Sequence, residues 1–436
     1  MTPTRVLFRG IRLVDPASGH DGPADVLVEE GLIAAVEAPG SGVGTTGSMV
    51  LDGDGLVLAP GLVDLHAHLR QPGREDKETV ETGSRAAAVG GYTAIAAMAN
   101  TEPVADGVAV IQEVRSLAER AGLCDVHPVG AITTGLAGEA MTEIGEMAAV
   151  GVRLFSDDGR CVQGSRVLRM ALEYARAFDV VIAEHCEEAS LAEGTQMHEG
   201  YTSSFLGLAG QPSEAEEIMV ARDLLLARLT GGRLHLCHLS SAGSVEFVRR
   251  ARDEGVRVTA EVTPHHLALT DEDLTDYDTN RKVNPPLRSA EDRDALRAGL
   301  AEGVIDVVAT DHAPHAVEDK EQEYDQAPPG TIGLETALAV VLTELVHPGR
   351  LSLARAVEAM STAPARILGA AGHGGPVEPG RDANLVAFDP ESEWVVEPPF
   401  ASRSRNSAFL GRTLRGRVVH TMLRGELVVH QGKAQR

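Results

Sequence analysis

The sequence predicts an α/β protein, a (β/α)8 TIM-type barrel carrying a small β-sandwich domain formed by both chain ends. Three observations lead there. Between residues 59 and 372, eight apolar runs alternate with amphipathic stretches. Near-continuous apolar runs mark strands buried on both faces, as in parallel sheets covered by helices. Residues 1–58 and 373–436 instead carry short β-type segments separated by Gly, Asp and Pro.

The N-terminal segments are VLFRGIRLVDP, ADVLVEEGLIAAVE and MVLDGDGLVLAP. At the other end, DANLVAFDP and RGRVVHTMLRGELVVHQGK have the same character, and LRGELVVHQGK echoes FRGIRLVDP. The runs between them are GLVDLHAHL, GYTAIAAMANT, CDVHPVGAI, GVRLFSDDG, VVIAEHCEE, RLHLCHLSS, VRVTAEVTPHHL and VIDVVATDHAPH. SRVLRMALEYARAFD and AEDRDALRAGLAEG are among the helical patterns that separate them. The loop at 313–332 is long and charged, and reads as a lid or a solvated excursion.

Asp and Glu outnumber Lys and Arg 64 to 39, for a net charge of -25. Nucleic acid and anionic membranes demand a basic face, so neither is the expected partner. The four cysteines lack paired spacing, which excludes a disulfide framework or a thiolate zinc site. No apolar run near the start resembles a secretory leader and none reaches membrane-spanning length, which points to the cytoplasm.

In such barrels reactive residues stand at the C-terminal ends of strands. His66 and His68 end the first run, Asp157 and Asp158 the fourth, His185 the fifth, His238 the sixth and Asp311 the eighth. His-x-His alone is weak in a chain with 16 histidines. A strand places i and i+2 on one side, however, and further histidines and acids end other runs. Imidazole and carboxylate without thiolate suit Zn²⁺ or a neighbouring divalent metal, with enough ligands for two ions if one carboxylate bridges them. Asp311 could otherwise be an N-cap, and Arg70 a surface partner of Glu75 or Asp76. His127 and His235, inside their runs, read as core histidines. His20, His198, His347, His373, His420 and His430 read as surface or β-domain residues. His265 and His266 receive no metal role.

PGLVDLHAHLRQPGRE, MANTEP, FSDDG, AEHCE, EVTPHHL, KVNPPLR, ATDHAPH and GTIGLET resemble the amidohydrolase superfamily, and within it the bacterial class I dihydroorotases, over nearly the whole chain. The resemblance implies a metal-dependent barrel that interconverts N-carbamoyl-L-aspartate and dihydroorotate, the third step of pyrimidine synthesis. It implies two Zn²⁺ per subunit, bridged by Asp158 and a hydroxide. His66 and His68 match the paired ligands of the first strand. His185 and His238 match ligands of the second metal. Asp311 matches a ligand that is also the catalytic acid/base. Many relatives bridge with a carboxylated lysine, but residues 151–161 contain none; Asp157 is the second choice for the bridge. Substrate contacts fall on His68, Arg70, Asn100, Asn284, His315, Pro329 and Gly330. A rigid turn is the plainer reading of Asn284 with its following prolines. A homodimer is the expected assembly, with association with aspartate transcarbamoylase as a further partner. The rivals are a hydantoinase or allantoinase, which Arg70, Asn100 and the aspartate bridge oppose, and a non-catalytic scaffold, which the full ligand set opposes.

Overall fold

The computed structural model describes residues 5–44 and 46–436. One sheet has nine strands and draws on both chain ends. From the N-terminus come β1 (Arg5–Asp15), β2 (His20–Glu29), β3 (Leu32–Glu37), β4 (Met49–Asp52) and β5 (Val57–Pro60).

Three parallel strands follow: β6 (Leu62–Ala67), β7 (Tyr92–Ala97) and β8 (Asp125–Pro128). Next come β9 (Leu154–Ser156), β10 (Val181–Glu184), the short parallel pair β11 (Met197–His198) and β12 (Gly210–Gln211), β13 (Arg233–Leu236), β14 (Val258–Val262) and β15 (Val307–Val308). Of these, β9, β10, β13, β14 and β15 form a second parallel sheet. The chain then returns to the first sheet with β16 (Leu385–Val395), β17 (Thr413–Leu423), β18 (Glu426–His430) and β19 (Lys433–Ala434). The seam between the two chain ends is β16 against β5, antiparallel, with Leu385 opposite Pro60 and Phe388 opposite Val57.

Isolated parallel bridges join the two parallel sheets at both ends. Gly130 beyond β8 pairs with Phe155 of β9, and Ala67 of β6 pairs with His312 beyond β15. Every residue of β6 and of β7 is buried. Along β7 the neighbours alternate from Ala94 on: Ala94 and Ala96 pack with Val63, Leu65, Val181 and Val307, while Ile95 and Ala97 pack on the helix side. Helix Ser165–Ala175 covers the sheet with Leu168, Ala171, Leu172 and Ala175, an i, i+3, i+4, i+7 stripe. Helix Val80–Val89 starts at a capping box between Thr79 and Thr82. No helix among the described residues is long and apolar enough to cross a membrane.

Two placements are informative. Of the two readings of His373, surface or β-domain, the surface one fails. It is buried, with Nδ1 2.9 Å from Thr93 Oγ1 and Nε2 3.0 Å from Asp125 Oδ2, and so ties the segment after the last helix to β7 and β8. The 313–332 loop is solvated only in part: Glu321, Gln322, Glu323, Asp325 and Gln326 are exposed, but the loop is anchored inward. Buried Lys320 donates to the carbonyls of Thr279 (2.7 Å) and Pro328 (2.8 Å), and Lys282 donates to that of Tyr324 (2.7 Å). Each ammonium satisfies carbonyls that the loop would otherwise bury without donors.

Candidate metal and substrate site

His66, His68, Asp158, His185, His238 and Asp311 meet where β6, β9, β10, β13 and β15 end. Asp158 stands at the centre. Its Oδ2 lies 3.3 Å from His66 Nε2 and 3.4 Å from His68 Nε2. Its Oδ1 lies 3.3 Å from His238 Nε2 and 3.6 Å from His185 Nδ1. Asp311 Oδ1 completes the first group, 3.1 Å from His68 Nε2 and 3.5 Å from His66 Nε2. His185 Nδ1 and His238 Nε2 are 3.0 Å apart. The two oxygens of one carboxylate therefore face two separate pairs of histidines.

These spacings can be tested against a metal. Ligands at about 2.0–2.1 Å in a tetrahedron stand roughly 3.3–3.4 Å apart. Among the first four donors, the spacings of His66 Nε2 and His68 Nε2 from Asp311 Oδ1 and Asp158 Oδ2 are 3.1–3.5 Å. His66 Nε2 is buried with no hydrogen-bond partner, as a lone pair kept for a cation would be. The residues fit a divalent ion in each group. Without one, burial disfavours a charged His66, but Asp158, Glu261 and Asp311 outweigh it and hold its pKa well above the usual value. Burial opposes ionisation of Asp158 and Asp311 too, yet the histidines keep both carboxylates well below the ordinary range.

The backbone is strained here. Arg70, His238 and Asp311 hold φ of +60°, +29° and +44°, conformations rare outside glycine and common at functional sites. The pairing of β6 with β7 is irregular between Asp64 and Ala67, beside His66. Asp311 caps no helix, since the next one starts at Val317 behind Ala316.

Asp157 is not the bridge. Its Oδ1 accepts the amides of Ile132 (2.8 Å) and Thr133 (2.9 Å), and its Oδ2 accepts the Thr133 hydroxyl. It fastens the loop after β8, and Asp158 is the acid that turns inward.

The residues expected to contact substrate lie around this cluster. Arg70 makes no ion pair with Glu75 or Asp76; its Nε donates to the carbonyl of Pro314 at 3.2 Å. Burial lowers its pKa to about 10, against the pull of Asp311 and Asp158. Asn100 Oδ1 meets His68 Nδ1 at 2.9 Å, so it also orients that imidazole. Asn284 Nδ2 lies 3.4 Å from His185 Nε2. Asn284 and Pro329 line a cavity of about 340 Å³ together with Glu187, Gln196, Gln211 and Lys282. His315 Nε2 donates to the carbonyl of Pro329 at 2.9 Å. Gly330 has φ +139°, and a Cβ there would stand 2.8 Å from His315 Nε2. A larger cavity of about 690 Å³, lined by Glu335, Trp394, Phe400 and Arg417, contains none of these residues.

Two carboxylates escaped the sequence reading. Glu187 Oε2 lies 3.7 Å from His185 Nε2 and accepts from Gln211 Nε2 at 3.0 Å. Glu261, fully buried in β14, faces His66 Nδ1 at 2.7 Å. An acid inside an otherwise apolar run was the available signal for Glu261.

Residues 55–244 match a family described as dihydro-orotase-like. The chain is 52% identical over 433 residues to a protein named dihydroorotase from Streptomyces coelicolor, covering 99% of both chains. It is 51% identical over 431 residues to the dihydroorotase of Mycobacterium tuberculosis, covering 98% and 99%. Among solved structures it superposes on an L-hydantoinase from Arthrobacter aurescens with a TM-score of 0.88 and 31% identity, covering 100% and 98%. A dihydropyrimidinase from Brevibacillus agri, 23% identical with a TM-score of 0.81 over 99% and 96%, shares the α/β fold. The chain belongs to the dihydroorotase family.

Proposed function

We propose that this site, at the mouth of a closed (β/α)8 barrel, holds two Zn²⁺ and reversibly cyclises N-carbamoyl-L-aspartate to dihydroorotate. The observation that carries the reading is Asp158, whose two oxygens face two separate histidine pairs beside Arg70. The isolated bridges at Gly130 and His312 support the closed barrel. When bound, a cation pair lowers the pKa of a water and polarises a carbonyl oxygen.

The chain supplies the rest. His66 and His68 with Asp311 form one ligand group, His185 and His238 the other, and Asp158 belongs to both. Arg70 offers a planar fork to the substrate carboxylate. Asn100, Asn284, His315 and the backbone at Pro329 and Gly330 orient the ring. In the hydrolytic direction water adds to the ring amide carbonyl, a C–O bond forms and the C–N bond breaks. Asp311 takes the proton from that water and delivers it to the departing nitrogen. Its side chain is 11% exposed against 4% for Asp158, so of the two carboxylates that face His66 and His68 it is the more accessible to substrate.

Metal quantification beside a dihydroorotate assay of wild type and Asp311→Asn tests this. Expected are bound zinc, turnover of dihydroorotate, and near-complete loss of activity in a folded variant. Turnover of hydantoins or allantoin alone, or substantial activity in Asp311→Asn, would sink the assignment.

A further inference from the structure

Glu261 touches both ligand groups and contacts neither cavity nor solvent. Its Oε1 accepts from His66 Nδ1 at 2.7 Å and from the backbone N–H of His238 at 3.2 Å. Its Oε2 meets His235 Nε2 at 3.0 Å, while His235 Nδ1 meets Thr259 Oγ1 at 2.8 Å. Three groups thus converge on one carboxylate. The bond to Nδ1 fixes His66 as the tautomer whose Nε2 lone pair points at Asp158 and Asp311. The bond to the amide of His238 restrains a residue held at φ +29°.

We propose that Glu261 is a positioning residue that sets metal affinity in both groups at once, by fixing the His66 tautomer and by pinning the strained backbone of His238. The inference rests on the two-cation reading above. A carboxylate behind a metal-binding imidazole raises its basicity and holds its plane, and loss of such a partner typically weakens metal binding 10- to 100-fold. Shape alone does not require the charge. A glutamine fits the same space, since its carbonyl can serve His66 and His238 while its amide faces His235, which can switch tautomer.

The test measures zinc affinity by competition with a chromogenic chelator, using metal-stripped wild type, Glu261→Gln and Glu261→Asp, with thermal melting of the stripped proteins alongside. Expected is roughly 10- to 100-fold weaker zinc binding in Glu261→Gln, partial recovery in Glu261→Asp, and stripped proteins that melt alike. Catalysis by Glu261→Gln should return toward wild type once zinc saturates it. Equal zinc affinity in wild type and Glu261→Gln overturns the inference. So does an affinity loss that tracks a collapsed melting point, or a Glu261→Asp no tighter than Glu261→Gln. If only Glu261→Asp folds, an affinity equal to wild type refutes it. A wild type that holds no zinc overturns the two-cation reading itself, and this inference with it.

Discussion

Asp157 and Asp158 are adjacent and chemically identical, yet the structure gives them opposite consequences when changed. In Asp157→Ala the amides of Ile132 and Thr133 lose their acceptor in a buried turn, and the Thr133 hydroxyl loses one as well. Each orphaned buried amide costs about 1–3 kcal/mol, so roughly 2–6 kcal/mol is at stake. The lower half of that range is the better expectation, because burial already raises the pKa of Asp157 and its removal relieves that penalty. Asp158→Asn keeps the shape but removes the charged oxygens that face all four histidines. Urea unfolding of the metal-stripped proteins and zinc content of the native ones separate the two. Asp157→Ala should unfold at lower urea while still binding zinc and turning over dihydroorotate. Asp158→Asn should lose zinc and activity, and in the metal-stripped protein its midpoint should fall only as far as the lost pairing with His66 requires, with the loop after β8 still fastened. The reverse pattern, with Asp157→Ala folded normally and free of metal, would refute the argument that hydrogen bonding assigns these two acids.

Arg70→Lys keeps the charge but loses the fork; charge-assisted bonds of about 1.5–3 kcal/mol predict a fall in kcat/KM for dihydroorotate of about 10- to 100-fold, and unchanged kinetics would remove Arg70 from the carboxylate. Gly330→Ala forces a side chain into φ +139° and against His315; a destabilisation of about 1–3 kcal/mol with reduced turnover is expected, and a variant indistinguishable from wild type in melting and kinetics contradicts it. Burial, aided by Lys282 and Lys77 and opposed by Asp278 and Asp319, lowers Lys320 to about 7. A freed Lys320 titrates near 10.4, so the undocked loop binds more protons between about pH 7 and 10 and docking strengthens as pH rises through that window. Hydrogen exchange of residues 316–329, corrected for intrinsic rates, should show protection growing from pH 7 to 9 in wild type and not in Lys320→Met; protection that falls over that range counts against it.

Much of this was legible because the signals were local. Continuous burial on both faces wrote itself into runs such as YTAIAA, and the reactive residues stood at the ends of those runs. What stayed hidden depended on partners far along the chain. Asp157 and Asp158 are separated only by what residues 132–133 offer to one of them. Glu261 meets His66 across 195 positions, and no periodicity in β14 announces that a glutamate is wanted there. His373 looked like a polar residue near a chain end, yet its partners, Thr93 and Asp125, lie 280 and 248 residues away. The charged composition of the 313–332 loop suggested solvation. Lys320 and the neighbouring Lys282 instead point inward, because backbone carbonyls at 279, 324 and 328 need donors.

The net charge of -25 takes its sense from the site. Asp158, Asp311, Glu261 and Glu187 place four carboxylates in and around one buried cluster; Arg70 adds a guanidinium, and without a metal His66 and His185 hold protons that offset part of the acid charge. Divalent cations bound as proposed would replace those protons and add positive charge, so the same pocket would attract a carboxylate. The acids that make the chain look hostile to anions are thus the ones that make an anion site possible. On that reading substrate binding and metal binding would be linked through charge, not only through shared ligands, and Glu261 would add to that balance from behind the imidazole of His66.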